Sequence, residues 1–316
     1  MKILVTGATG FIGGRLVESL LKKNHDIVCV VRKPSKARCL RAKGVVLEKT
    51  DLLESDEVNR AFEAHRPEAV FHCAALVMSK DEKKLLKVNS ETTRNVCEAC
   101  VRYGAGRLVY LSSVAVISGN HEVPLRDNLP YKASNAYGRS KIEAEKIVMS
   151  FRDKGLNCAV IRPCIVYGEG EPHAFGRIMT NVDRRWLPVF DIPEMDTKIN
   201  LVYVGNVVQV LESALEKEEA LSGTFMVSDK DILTLREFVY LLYSYAGKGV
   251  PPIIPRWIIY FLMRFPFFKI RAHNFLKDRI YNIARAIDLL GYDPECSTYE
   301  GLKRSVFYWR SSGKTE

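Results

Sequence analysis

The chain has 316 residues, 47% of them hydrophobic and 27% charged, with eight cysteines and a formal net charge of +10. That composition is that of an ordinary soluble globular protein, with length for one full α/β domain and a smaller lobe. Lys and Arg are spread along the whole chain, with no basic tail and no aromatic-interleaved basic stretch, so the charge suits anionic small ligands and excludes nucleic acid as a partner.

The N-terminal strand Lys2 to Thr6 runs directly into Gly7-Ala8-Thr9-Gly10-Phe11-Ile12-Gly13, and a helix follows from Phe11 to about Lys23. A strand, three glycines at this spacing and a helix form a dinucleotide cradle. Gly7 allows a tight turn, Gly10 lets backbone amides approach a pyrophosphate, and Gly13 lets the helix pack close to the strand with its positive end toward the phosphates. Because this strand flows into the turn with no n-region or cleavage site, no signal peptide is expected.

Further strands are expected at Asp26 to Arg32, Val45 to Lys49 and Ala69 to Cys73, then a helix from Asp81 to Tyr103 and a strand at Arg107 to Ser112. Another helix starts near Tyr137 and ends before Gly155, and Asn157 to Arg162 is the next strand. This alternation predicts an α/β fold: a doubly wound parallel Rossmann sheet with a smaller, mostly helical C-terminal substrate lobe. The expected division is 1–168 for the NAD(P)-binding domain, with returns to its sheet at about 201–227, and 169–200 plus 228–316 for the lobe. Cys97 and Cys100 form a CxxC, but with no second pair or His pair at zinc spacing they read as a helix face, and no metal is expected. The scattered cysteines suit reduced thiols and a cytoplasmic protein.

Tyr137-Gly-Arg-Ser-Lys141 opens a helix, and residues four apart share one helical face. A Lys cation beside a phenol favours the phenolate and lowers its ordinary pKa of ~10, giving a usable acid/base. The pair lies downstream of the nucleotide turn and after a strand ending in Ser112-Ser113, where ligands sit beyond the carboxyl ends of parallel strands.

Together with Thr50-Asp51-Leu52, Phe71-His72-Cys73-Ala74-Ala75, Val88-Asn89, Arg162-Pro163-x-x-Val166-Tyr167-Gly168 and Leu290-Gly291-Tyr292-x-Pro294, these motifs make the whole chain resemble the extended short-chain dehydrogenase/reductase family, which includes NAD-dependent epimerases and dehydratases. The resemblance implies Tyr137 as catalytic acid/base, Lys141 binding the nicotinamide ribose and lowering the Tyr137 pKa, and Ser113 holding the substrate oxygen, with Ser112 the alternative. It implies a cofactor site from Gly7, Thr9, Gly10, Phe11, Ile12, Gly13, Asp51, Leu52, Ala74, Ala75, Pro163 and Ile165, with Tyr137, Lys141 and Asn89, the last a structural or proton-relay residue. Ser112, Val114, Tyr167 and His173 are substrate candidates. His72 reads as packing; His121, Arg279 and Tyr281 are weaker candidates for substrate contact.

The second strand ends in Val31-Arg32-Lys33-Pro34-Ser35-Lys36, with no acid for a ribose 2'-hydroxyl and with cations for a 2'-phosphate. Arg32 and Lys33 therefore favour NADP(H) over NAD(H). For substrate, the sugar-nucleotide branch of the family places an Arg where this chain has Ile199, in Lys198-Ile199-Asn200-Leu201-Val202-Tyr203-Val204, and Lys198 matches a diphosphate less well than a guanidinium. This points to a bulky, largely apolar alcohol or ketone, as in 3-beta-hydroxysteroid dehydrogenase-like and dihydroflavonol reductase-like members. A nucleotide-sugar epimerase or dehydratase with internally recycled NAD is the alternative, and a non-catalytic NAD(P)-sensing protein a third. The aromatic stretch 253–270 has Arg and Lys at its flanks and is too short to span a bilayer; it suits core or homodimer packing, an apolar pocket roof, or peripheral membrane contact.

Overall fold

The computed structural model describes residues 1–221, 223–262, 264 and 278–312. The chain divides into two compact units, Met1–Cys164 with Val207–Val227 and Asn282–Asp293, and Ile165–Asn206 with Ser228–Tyr281 and Pro294–Glu316.

In the first unit, strands β1 (Lys2–Thr6), β2 (Asp26–Val31), β3 (Val46–Lys49), β4 (Ala69–His72), β5 (Arg107–Leu111) and β6 (Cys158–Pro163) alternate with helices α1 (Phe11–Lys22), α2 (Arg38–Arg41), α3 (Ser55–His65), α4 (Glu82–Tyr103) and α5 (Ala136–Arg152). They form a seven-stranded sheet, completed by β10 (Thr224–Val227), in the spatial order β10, β6, β5, β4, β1, β2, β3. Every pairing in it is parallel. β1 lies between β2 and β4, so the direction of winding reverses beside it, which opens the crevice where α/β sheets take ligands.

Local chemistry explains these elements. In α1, Gly13, Leu16, Val17 and Leu20 are buried, the period of one helical stripe against the sheet. Asp81 caps α4 by accepting from Lys84 N–H, and Gly104, at φ 72°, ends it. Asn135 caps α5 through Gly138 N–H, which fixes where the Tyr137 turn begins. Cys97 and Cys100 are fully buried on the core side of α4, where burial pushes both thiols up.

The second unit holds a three-stranded sheet, β7 (Ile165–Tyr167) parallel to β9 (Lys198–Tyr203) and β11 (Ile232–Thr234) antiparallel to it, and a parallel pair of β8 (Val189–Phe190) and β12 (Ile253–Ile254). Helices at Phe175–Asp183, Leu235–Tyr245, Arg256–Leu262 and Thr298–Ser311 belong to this unit. The division departs from the expected one at three places. It falls at Cys164, because the chain leaves the main sheet at Pro163 and pairs Ile165 with Leu201. For the same reason Leu201 does not return to the main sheet; of the stretch 201–227, Val207–Val227 accompanies the first unit, with most of the helix that begins at Val204 and the strand Thr224–Val227. Finally, Asn282–Asp293 rejoins the first unit through the helix Ala284–Leu290, whose Ala286 and Leu290 are buried.

Candidate active site

The turn after β1 requires glycine twice. Gly7 sits at φ +71°, and a Cβ there would lie 2.7 Å from the Ala74 nitrogen and the Cys73 carbonyl carbon. A Cβ on Gly13 would lie 2.3 Å from the Gly7 oxygen, so the bare glycine is what seats α1 on the turn. Gly10 donates to the Gly7 carbonyl at 2.9 Å and is the N-cap of α1, with no side-chain cap and no acid in the first turn. The positive end of α1 is thus left to an outside anion, and the turn fits a dinucleotide pyrophosphate. Thr9 and Gly10 are exposed and Phe11 and Ile12 are partly exposed beside this end. Arg32 and Lys33 are exposed just past β2, and neither forms an ion pair among the described residues.

Other expected cofactor residues divide by what already occupies them. Asp51 is partly exposed; its carboxylate accepts from Leu53 N–H at 3.1 Å, and its own N–H donates to Glu57 at 2.7 Å. Leu52 is buried in the core of the first unit. Ala74 N–H donates to Thr6 Oγ1 at 3.2 Å, which holds the loop after β4 against β1, while Ala75 is exposed. Asn89 is 2% exposed and its amide is fully used: Oδ1 accepts from Leu76 N–H, and Nδ2 donates to the Leu76 carbonyl and to Ser140 Oγ. Ser140 donates in turn to the Tyr137 carbonyl at 2.7 Å. Asn89 therefore ties the β4 loop and the Tyr137 turn together rather than offering its amide to a ligand.

His72 is fully buried and hydrogen-bonded on both sides. Thr93 Oγ1 donates to the Asn89 carbonyl, so it accepts from His72 Nε2 at 3.1 Å, and His72 Nδ1 then accepts from Thr6 Oγ1 at 2.7 Å. Burial, with Lys141 nearby, pushes this imidazole down to about 3 and keeps it neutral. It is a packing and positioning residue, stacked 5.6 Å from the Tyr110 ring.

Two adjacent serines have different employment. Ser112 is 3% exposed and donates to the Glu145 carboxylate, which also accepts from Tyr131 at 2.9 Å and from the buried Arg162 at 2.6 and 3.0 Å. Arg162 further donates to the Asp127 carbonyl at 2.9 Å. Ser112 is thus a structural member of a buried ionic network. Ser113 is partly exposed, and among the described residues its hydroxyl only accepts from Ala115 N–H at 3.1 Å, which leaves its proton to donate. Val114, in the following 3-10 turn, is buried. A Cβ on Gly138 would lie 2.5 Å from the Ala115 oxygen, so this glycine lets the first turn of α5 press against the turn that starts at Ser113. Gly138 was legible only as a spacer between Tyr137 and Lys141; its role comes from that approach.

Tyr137 is partly exposed, whereas Lys141, one turn on, is 1% exposed. The Lys141 ammonium donates to the Leu111 carbonyl at 2.8 Å and lies 4.3 Å from the Tyr110 ring centre. Burial pushes Lys141 down to about 7, against a smaller upward pull from Glu145 and Cys73. Burial also pushes the Tyr137 phenol up to about 12. The expected lowering of Tyr137 by Lys141 is not what this arrangement gives: desolvation outweighs an ammonium engaged elsewhere. Tyr137 is held as a neutral donor, suited to giving a proton to a carbonyl oxygen.

The profile of the NAD dependent epimerase/dehydratase family matches residues 3–227. The chain belongs to that family. Among curated relatives, it is 24% identical to sterol-4-alpha-carboxylate 3-dehydrogenase, decarboxylating, of Schizosaccharomyces pombe, over 99% of this chain and 98% of the relative. It is 28% identical to UDP-glucose 4-epimerase of Vibrio cholerae, over 96% and 94%. Among solved structures, UDP-glucose 4-epimerase of Thermus thermophilus in complex with NAD is 26% identical, with a TM-score of 0.79 and coverage of 99% and 100%. This epimerase/dehydratase family member is accordingly an NAD-dependent enzyme of the extended short-chain type, a dehydrogenase or an epimerase.

The remaining expected residues of this family member lie at the end of β6 or in the second unit. Pro163 is buried at the end of β6 and pairs with Val227. Ile165 is exposed on β7. Tyr167 is 4% exposed, and its hydroxyl is spent on Asp229 at 3.0 Å and the Thr298 carbonyl at 3.2 Å, so it braces the second unit instead of presenting itself to substrate. His173 is exposed ahead of the helix Phe175–Asp183, its N–H bound by Glu171, and His121 is exposed in a loop of the first unit. Ile199 is buried in the apolar core of the second unit, and its backbone bridges to Arg279, whose N–H donates to the Lys198 carbonyl. Tyr281 is buried there, its N–H bound by Asn200. In the stretch 253–270, residues 263 and 265–270 lie outside the described residues.

Proposed function

We propose that the chain is an NAD(P)-dependent oxidoreductase interconverting a secondary alcohol and a ketone on a bulky, largely apolar substrate of steroid or flavonol type. Hydride exchange with the substrate carbon is the chemistry the dinucleotide supplies when bound. In the reducing direction Tyr137 gives its phenolic proton to the carbonyl oxygen, and Ser113 donates a hydrogen bond to the same oxygen. Lys141 would bind the nicotinamide ribose, and Asn89 with Ser140 holds the Tyr137 turn in place.

What supports the apolar substrate is Ile199, an aliphatic residue buried in the second unit's core at the position where, by the resemblance, the sugar-nucleotide branch of the family carries an Arg for the diphosphate. The relatives named for sterol and 3-beta-hydroxysteroid substrates support the same choice. Exposed Arg32 and Lys33, with no acid at the end of β2, support NADP(H) over NAD(H). The epimerase likeness supports the second reading, a nucleotide-sugar epimerase or dehydratase with internally recycled NAD.

The test offers the purified chain a 3-hydroxysteroid with NADP+ or NAD+, and separately UDP-glucose with NAD+. Steroid-dependent formation of reduced nicotinamide, lost in Tyr137→Phe, is the expected result. Turnover of UDP-glucose with no response to any steroid overturns the proposal in favour of the second reading.

A further inference from the structure

The second unit exposes an apolar surface assembled from two distant parts of the chain. Trp186 is 68% exposed, Val250 60%, Ile253 55%, Trp257 69% and Phe261 58%. The parts are clamped together: β8 pairs with β12 through Val189 and Ile253, and Arg185 donates to the carbonyls of Lys248 and Val250 at 2.7 and 2.8 Å. The helix Arg256–Leu262 is two-sided. Ile259 packs on the core, whereas Trp257 and Phe261, one turn apart, face outward.

The charges around this surface have one sign in excess. Its acids are met by cations, Asp183 by Lys248 at 3.5 Å and Asp191 by Arg256 at 3.4 Å. Arg184, exposed and 5.2 Å from the Trp186 ring, Arg185 and Arg264 have no acid against them among the described residues. Tryptophan and phenylalanine beside arginine suit the headgroup level of a bilayer, where rings enter the acyl boundary and cations meet anionic lipid. No described helix is long and apolar enough to cross a membrane, so the contact would lie in the interface plane.

We propose that this face, formed by Trp186, Val250, Ile253, Trp257 and Phe261 with Arg184 and Arg185, docks on an anionic lipid surface. The inference goes beyond the proposed reaction and does not depend on it, because docking is measured without substrate or cofactor. The chain has three tryptophans, and two of them, Trp186 and Trp257, are on the face; Trp309 is only partly exposed, with its indole nitrogen buried.

The full chain is mixed with phosphatidylcholine vesicles with and without phosphatidylserine, and with vesicles containing brominated phosphatidylcholine. A blue shift and bromine quenching of tryptophan emission with the anionic vesicles, reversed by salt, is the expected result. Flotation with these vesicles should weaken at least about tenfold in Trp186→Ser/Trp257→Ser. No shift, quenching or flotation at low salt overturns the proposal. So does concentration-dependent self-association lost in the same variant, which would assign the face to a second copy of the chain. The spectroscopic arm uses the unaltered protein and decides the matter even if the variant does not fold.

Discussion

Lys141→Met should make the protein more stable while disabling it. Lys141 is 1% exposed, and burial pulls its ammonium from 10.5 down to about 7. At about 1.4 kcal/mol per tenfold change in proton affinity, a displacement of that size corresponds to about 5 kcal/mol of destabilisation by the charged form. Loss of the Leu111 hydrogen bond and the Tyr110 contact offsets about 1–2 kcal/mol, leaving a gain of about 3 kcal/mol at pH 6.

The pH dependence has a definite sign. Below pH 7 both folded and unfolded chains hold the Lys141 proton, and the penalty is full and constant. Between 7 and 10.5 the unfolded chain holds more protons, so the stability of the unaltered protein rises with pH and the advantage of Lys141→Met shrinks by about 1.4 kcal/mol per unit. The buried Cys29 thiol, pushed up to about 12 by burial alone, lowers stability at alkaline pH in both proteins and cancels in the difference. Guanidinium unfolding of both proteins from pH 6 to 9, without added dinucleotide, measures this difference. A variant no more stable at pH 6, or a difference that does not narrow by pH 9, refutes the argument.

Ser113→Ala should lower kcat about 10- to 100-fold with little change in unfolding midpoint, since its hydroxyl is only an acceptor from Ala115 N–H; Ser112→Ala should instead destabilise by about 1–3 kcal/mol by removing a partner of buried Glu145. The reverse pattern in paired kinetics and denaturation would exchange their roles. Glu145→Ala leaves Arg162 charged and buried and should destabilise by about 3–5 kcal/mol, seen as a lowered denaturation midpoint. Gly13→Ala forces a methyl to within 2.3 Å of the Gly7 oxygen, so calorimetric titration should find dinucleotide affinity reduced at least about tenfold; unchanged affinity would refute the close-packing account. Arg32→Ala should weaken NADP(H) at least about tenfold while sparing NAD(H), and equal effects on both would remove its 2'-phosphate role.

The sequence by itself determined the Rossmann sheet, the glycine turn and the placing of Tyr137 and Lys141 one turn apart on one helix. These rest on short-range rules: a glycine at positive φ, apolar residues at strand or helix period, and side chains four apart on one helix. It favoured Ser113 over Ser112 only through the family resemblance, because the physical distinction comes from Glu145 and Arg162 on other elements. Nor could it show that Asn89 and Tyr167 are already hydrogen-bonded, or that Gly138 must admit the Ala115 carbonyl. Whether a phenol near an ammonium titrates low or high is likewise a tertiary property. It depends on how much water burial removes and on which acceptor the ammonium meets, and here the Leu111 carbonyl and the Tyr110 ring meet it. The apolar stretch after Pro252 was visible in the sequence, but only strand pairing brings Trp186 beside it and turns a segment into a surface.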